Sequence, residues 1–170
     1  EGKISKRGRL ETEKFLEITK KIDINTIYYA ANKRCEYLAP KLSKVHPQAK
    51  TIKDGRLNER SFGDYEGLPE KEMARLRNFN PKDYTERFNW KPPNGESLED
   101  ISFRVKDFLK EISGKNEVNR SVFVITSGGV IKVALIILGI KTLKEIFESS
   151  IGNLETIEID FEKYKPTSQF

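Results

Sequence analysis

The apolar positions along the chain alternate between two periods. Near the N-terminus, "ISKRGRLETEKFLEITKKI" sets Leu10, Phe15, Ile18 and Ile22 close to helical spacing, with Ser5 placed to cap the start. Residues 24–30, "INTIYYA", are β-branched and aromatic and predict a strand. "NKRCEYLAPKLSK" predicts a helix kinked or broken at Pro40, since proline removes a donor and crowds the preceding turn. Residues 49–54, "AKTIKD", predict a short strand. Residues 55–93 follow, rich in Gly, Pro and charge, with short helices predicted over 69–78 and 81–88. An excursion of that length inside one domain points to function.

The regular pattern then resumes. "NGESLEDISFRVKDFLKEI" places Leu98, Ile101, Val105, Phe108, Leu109 and Ile112 on one helical stripe, and Ser97 with Asp100 forms a capping-box pattern. "SVFVIT" is a continuous apolar run, which predicts a strand covered on both faces. A Gly128-Gly129 turn, a helix over 130–138, a second helix over 142–149 and an alternating strand "LETIEID" complete the chain. Strands alternating with helices predict an α/β fold, a three-layer sandwich with a largely parallel sheet and helices on both faces, and residues 1–170 read as one domain without repeats. Ligands in such folds sit at the carboxyl ends of strands, which selects the turns after "TIYYA" and after "VFVIT".

Composition narrows the partners. Thirty-one Lys+Arg against 26 Asp+Glu give a net charge of +5, which allows an anionic ligand. The basic residues are interspersed with acids rather than drawn into a stripe, which argues against nucleic acid. No apolar run approaches the length of a membrane span, so no membrane partner is expected. Cys35 is the only cysteine, and the expected setting is the reducing cytoplasm. The expectation for Cys35 itself is a small packed residue. His46 has no partner at metal-ligand spacing and reads as an exposed loop histidine, so neither a metal nor a cofactor is expected. There is no Walker A loop and no dinucleotide glycine fingerprint.

At the first turn, Arg34 opens the helix after a strand, where a planar fork of donors adds to free N–H groups and the positive end of the helix. A solvated surface arginine is the alternative. At the second turn, Gly128-Gly129 lets the backbone approach a ligand and frees N–H donors at a helix start, or simply makes a tight connection. Ser127 reads as a phosphate donor or a helix cap ahead of a nucleophile, because Ile125 stands where a nucleophile elbow needs glycine.

Taken in order, these segments resemble the histidine phosphatase superfamily and its phosphoglycerate mutase-like fold. "ISKRGRLETEKFL" is similar to the family's "LTxxGxxQAxxL" start, and "IYYAANKRCEYLA" to "vysSxlxRaxqTA". "LNERSFGDYEG" follows "LxExxfGxwEG", while "NGESLEDISFRVKDFL" and "VFVITSGGVIKVAL" correspond to "GESxxdxxxRvxxfl" and "vlvVsHGgvir". The resemblance implies that Arg34, Ser127 and Gly128 hold phosphate, that Glu59 is the general acid/base, and that Arg60, Tyr65 and Trp90 line the substrate pocket.

Two departures accompany the resemblance. Ser127 occupies the place of the family's second active-site histidine, and no Arg-His-Gly motif, whose histidine becomes phosphorylated, occurs in residues 1–170. The expected position of that missing first strand is inside the sheet, between "TIYYA" and "VFVIT". Filling it requires a longer natural chain, a strand-donating partner or a rearranged sheet. The implied function is phosphate-ester chemistry, as phosphomonoesterase or phosphoglycerate mutase-like enzyme through phosphohistidine if such a strand exists. The alternative is a non-catalytic pseudophosphatase that binds phosphate or a protein. The expected partner is phosphate or a phosphorylated small molecule, with self-association left open.

Overall fold

The computed structural model describes residues 3–114, 121–164 and 166. Three parallel strands form one sheet in the order β2-β1-β3: β1 Thr26–Tyr29, β2 Lys50–Lys53 and β3 Val122–Ile125. The registers are Thr26 with Lys50 and Thr26 with Val122, so corresponding residues of the three strands share a face.

Helices cover both faces. On one side α1 Lys6–Thr19 and α2 Lys33–Val45 pack together, and Phe15 meets Phe123 edge-on at 6.1 Å. On the other side α5 Leu98–Gly114 packs against Tyr28, whose ring lies 5.1 Å from Phe108. Helix α6 Gly128–Ile137 packs along α5; α3 Glu70–Leu76, α4 Tyr84–Asn89 and α7 Leu143–Glu148 are short, with α4 packing on α5 and α7. All six predicted stripe positions of α5 are buried, and its predicted capping box forms. Ser97 N donates to Asp100 Oδ2 at 2.8 Å and Asp100 N to Ser97 Oγ at 2.9 Å.

The structure corrects several expectations. Helix α1 starts at its Ser5 cap as predicted, but Leu10, Ile18 and Ile22 are exposed, and its inward face is built from Thr12, Phe15, Leu16 and Thr19. The cause is visible in the two threonines, whose hydroxyls donate to Gly8 O and Leu16 O and so enter the interior satisfied. Helix α2 runs through Pro40 without a break. Strand β1 pairs directly with β3 along its length, and Ala30 N donates to Ile125 O at 3.0 Å, so no slot for a further strand exists between "TIYYA" and "VFVIT". Strand β3 is not covered on both faces: Val122, Phe123 and Val124 are only half-buried, and among the described residues no strand pairs with its outer edge. "LETIEID" forms no strand; the alternation is present in the sequence, yet no described strand lies alongside it.

Candidate functional site

The carboxyl ends of β1 and β3 hold the site, and two hydrogen bonds bring the intervening loop to them. Ala31 N, just past β1, donates to Asn58 Oδ1 at 2.8 Å. Thr126 Oγ1, just past β3, donates to Leu57 O at 2.6 Å. Leu57 and Asn58 therefore bridge the two turns selected from the sequence, and Glu59 follows directly.

Asn32 caps α2 by accepting from Cys35 N at 2.9 Å, which places Arg34 in the first turn at the ligand end of the sheet. There Arg34 Nη2 donates to Glu59 Oε2 in an ion pair. Both side chains are about half exposed, 58% and 45%, so the Glu59 carboxyl reaches solvent. Behind them Cys35 is buried as expected, and burial pushes its thiol pKa up.

The second turn is more enclosed. Ser127 is 8% exposed and stands at the N-cap of α6, yet its side chain caps nothing. Its Oγ is buried with no partner among the described residues. The first helical bond of α6 runs from Ile131 N to Ser127 O, leaving the N–H groups of Gly128, Gly129 and Val130 as the open end of the helix. A buried hydroxyl beside free amide donors is a ready seat for an anionic oxygen. The amide Nδ2 of Asn32, at the neighbouring turn, is likewise buried with no partner among the described residues.

A set of staples fixes the loop that carries Glu59. Arg104, from α5, donates to Glu96 Oε1 and Oε2 at 3.1 and 3.2 Å and to Arg56 O at 2.5 Å. Glu96 in turn accepts from Ser61 N at 3.0 Å, and Glu96 N donates to Ser61 O at 2.9 Å. Arg56 clamps Asp54, Asp107 and Glu111 at 2.6–3.2 Å, and the Arg56 hydrogen bonds hold the Asp54 carboxyl below the usual carboxylate range. Two glycines allow the turns to meet backbone to backbone. Gly63 has φ +53 and a Cβ there would lie 2.1 Å from Pro93 O, while one at Gly95 would lie 2.8 Å from Ser61 O.

Arg60 lines a cleft of about 140 Å³ together with Phe62, Arg77, Phe79, Arg87, Trp90 and Phe147. Its Nε donates to Glu96 O at 2.6 Å and its Nη2 to Trp90 O at 2.7 Å. Burial, followed by repulsion from Arg77, lowers the Arg60 pKa to about 10. Tyr65 stacks on Trp90 with ring centres 6.2 Å apart. The three residues expected to line a pocket thus belong to one cluster, but the cleft also draws on Arg77, Arg87, Phe79 and Phe147, which no spacing in the sequence singles out. His46, read as an exposed loop residue, is half-buried at the far end of α2, with Nε2 buried and without a partner among the described residues. Among the described residues no group of His, Cys, Asp or Glu could hold a metal ion.

With this arrangement established, comparison with known proteins becomes specific. A profile of the histidine phosphatase superfamily (branch 1) matches residues 2–170. The chain belongs to the histidine phosphatase superfamily. A probable phosphatase of Schizosaccharomyces pombe is 30% identical over 135 residues, covering 76% of this chain and 58% of its own length. A 2,3-bisphosphoglycerate-dependent phosphoglycerate mutase of Gloeobacter violaceus is 28% identical over 117 residues, covering 68% of this chain and 50% of its own. The chain therefore spans about half the length of these curated relatives. The solved structure of YhfR from Bacillus stearothermophilus superposes with a TM-score of 0.76 at 19% identity, over 97% of this chain and 83% of that one, which establishes the fold. In this histidine phosphatase-like chain, Arg34, Glu59 and Ser127-Gly128 occupy one end of the parallel sheet, held there by the Asn58 and Thr126 bonds.

Proposed function

We propose that this chain is the phosphate-ester-handling domain of a histidine phosphatase-type phosphomonoesterase. In this reading the Arg34 fork, the Ser127 hydroxyl and the Gly128 N–H hold the equatorial phosphate oxygens, and Glu59 supplies the proton to the leaving oxygen. The observation that carries the reading is Ser127 Oγ, without a partner among the described residues, at the open end of α6 and at the same end of the parallel sheet as the Arg34–Glu59 pair. An arriving phosphate offers oxygens to both sets of donors and competes with Glu59 for Arg34, turning the carboxyl toward the ester oxygen.

The covalent step needs a histidine nucleophile attacking phosphorus, with the ester oxygen leaving as an alcohol. His46 cannot serve, because α2 carries it roughly 18 Å from Arg34 at 1.5 Å per residue. Family resemblance assigns that role to an Arg-His-Gly strand, a motif that residues 1–170 do not contain. What these residues supply is the oxyanion cradle and the acid.

Calorimetric titration with inorganic phosphate at fixed ionic strength tests the reading. Saturable binding is expected, weakened about tenfold or more in Arg34→Ala, the loss of a charge-assisted fork. A wild-type protein that takes up no phosphate, or an Arg34→Ala variant that binds as well, contradicts it.

A further inference from the structure

With Thr12, Phe15, Leu16 and Thr19 facing the core, α1 leaves Leu10 and Ile18 60% and 67% exposed, and Ile22, just past its end, 39% exposed. Three of the six large apolar side chains exposed among the described residues thus fall within residues 10–22, a local feature rather than ordinary scatter. At 3.6 residues per turn, Leu10, Lys14 and Ile18 follow one another along the outward face, with Arg7 and Lys21 three positions outside the apolar pair. Residues 3–23 carry seven Lys or Arg against four Asp or Glu, so a surplus of three out of the whole chain's +5 is concentrated there. Only Arg7 and Lys20 spend their charge locally, on Glu11 and Glu17 at 2.6 Å. Lys3, Lys6, Arg9, Lys14 and Lys21 have no ion pair among the described residues.

A second copy of the chain does not suit this face. Antiparallel packing centred on Lys14 sets Lys14 against Lys14 and Arg7 against Lys21, and parallel packing sets each cation against itself. A partner helix is no better served, because Leu10 and Ile18 lie about 12 Å apart along the axis at 1.5 Å per residue, with a cation between them and no continuous apolar seam. A fluid, negatively charged surface meets both conditions. Lysine stems lie along it while their ammonium groups reach headgroup phosphates, and isolated apolar side chains enter the acyl boundary without needing a complementary shape.

We infer that the outward face of α1 is a peripheral docking surface for an anionic lipid bilayer, with Leu10, Ile18 and Ile22 inserting and Lys14 and Lys21 meeting headgroups. The expectation of no membrane partner rested on spanning length, and among the described residues no helix is long and apolar enough to cross a membrane; α1 offers contact from the surface instead. The inference does not depend on the phosphate reading, since none of these residues belongs to the Arg34, Glu59 and Ser127 set.

Co-sedimentation of the full chain with lipid vesicles tests it, comparing about three parts phosphatidylserine to seven of phosphatidylcholine with phosphatidylcholine alone. Binding is expected to the anionic vesicles and not to the neutral ones. It should weaken about tenfold or more in the double variant Lys14→Gln, Lys21→Gln, and by a similar factor in Leu10→Ser, Ile18→Ser. All four positions are exposed, and unfolding curves check that the variants are folded. Lys82→Gln with Lys110→Gln removes the same charge from other exposed positions and should stay within about twofold of wild type. No binding of the wild-type protein to anionic vesicles, the result expected if an acidic protein covers this face, overturns the proposal. Equal binding to neutral vesicles overturns it too, as does a loss in the Lys82, Lys110 variant matching that in the Lys14, Lys21 variant. Unchanged binding in folded Leu10→Ser, Ile18→Ser also overturns it, because the apolar side chains then do not insert.

Discussion

A buried hydroxyl without a partner costs about 1–3 kcal/mol relative to one that is bonded, and Ser127 Oγ is in that state. A serine kept for capping would donate or accept locally, as Ser5 does with Gly8 N at 3.0 Å, whereas Ser127 does neither. Ser127→Ala is therefore expected to raise the melting temperature by about 2–4 °C per kcal/mol recovered in a domain of this size, while weakening phosphate. Thermal unfolding with and without phosphate measures both. A fall in stability, or unchanged affinity, would mean the hydroxyl is structural. Of the residues named from the sequence, Arg34 and Glu59 were legible because each sits in a recognisable strand-to-helix or loop motif. Arg77 and Arg87 were not, since they lie among many charges in the irregular middle and only the fold collects them.

At the scale of elements, the pattern was most readable where a helix buries one continuous stripe, as α5 does. It misled where polar residues satisfy themselves inside, as Thr12 and Thr19 do in α1, and where apolar alternation finds no partner strand, as over 154–160. The "GES…R" spacing gains a physical meaning from the structure: Arg104 and Glu96 staple the Glu59 loop to α5 and to the 92–96 turn. Arg104→Gln should cost about 2 kcal/mol, the order of a charge-assisted hydrogen-bond set. It should also raise amide exchange at Ser61 and Gly63 more than in β1. Urea unfolding with hydrogen exchange reads this, and uniform exchange across the molecule would show that the staple does not act locally.

For the molecule as a whole, the α/β class followed from alternating elements, and the strand-end rule selected the two turns that the fold places next to each other. The strand order did not, because local patterns do not specify which strands are neighbours; direct β1–β3 pairing brings both ligand-facing turns side by side. That adjacency is what lets Asn58 and Thr126 tie one loop across two strands and bring an arginine, a carboxyl and a helix start to the same end of the sheet. The central claim is that these groups serve a single oxyanion. A crystal structure of the protein soaked with tungstate, a heavy tetrahedral oxyanion, tests it most directly. The account predicts one anion within hydrogen-bonding distance of Arg34, Ser127 Oγ and the Gly128 N–H together; tungstate bound elsewhere with this corner unoccupied would contradict it.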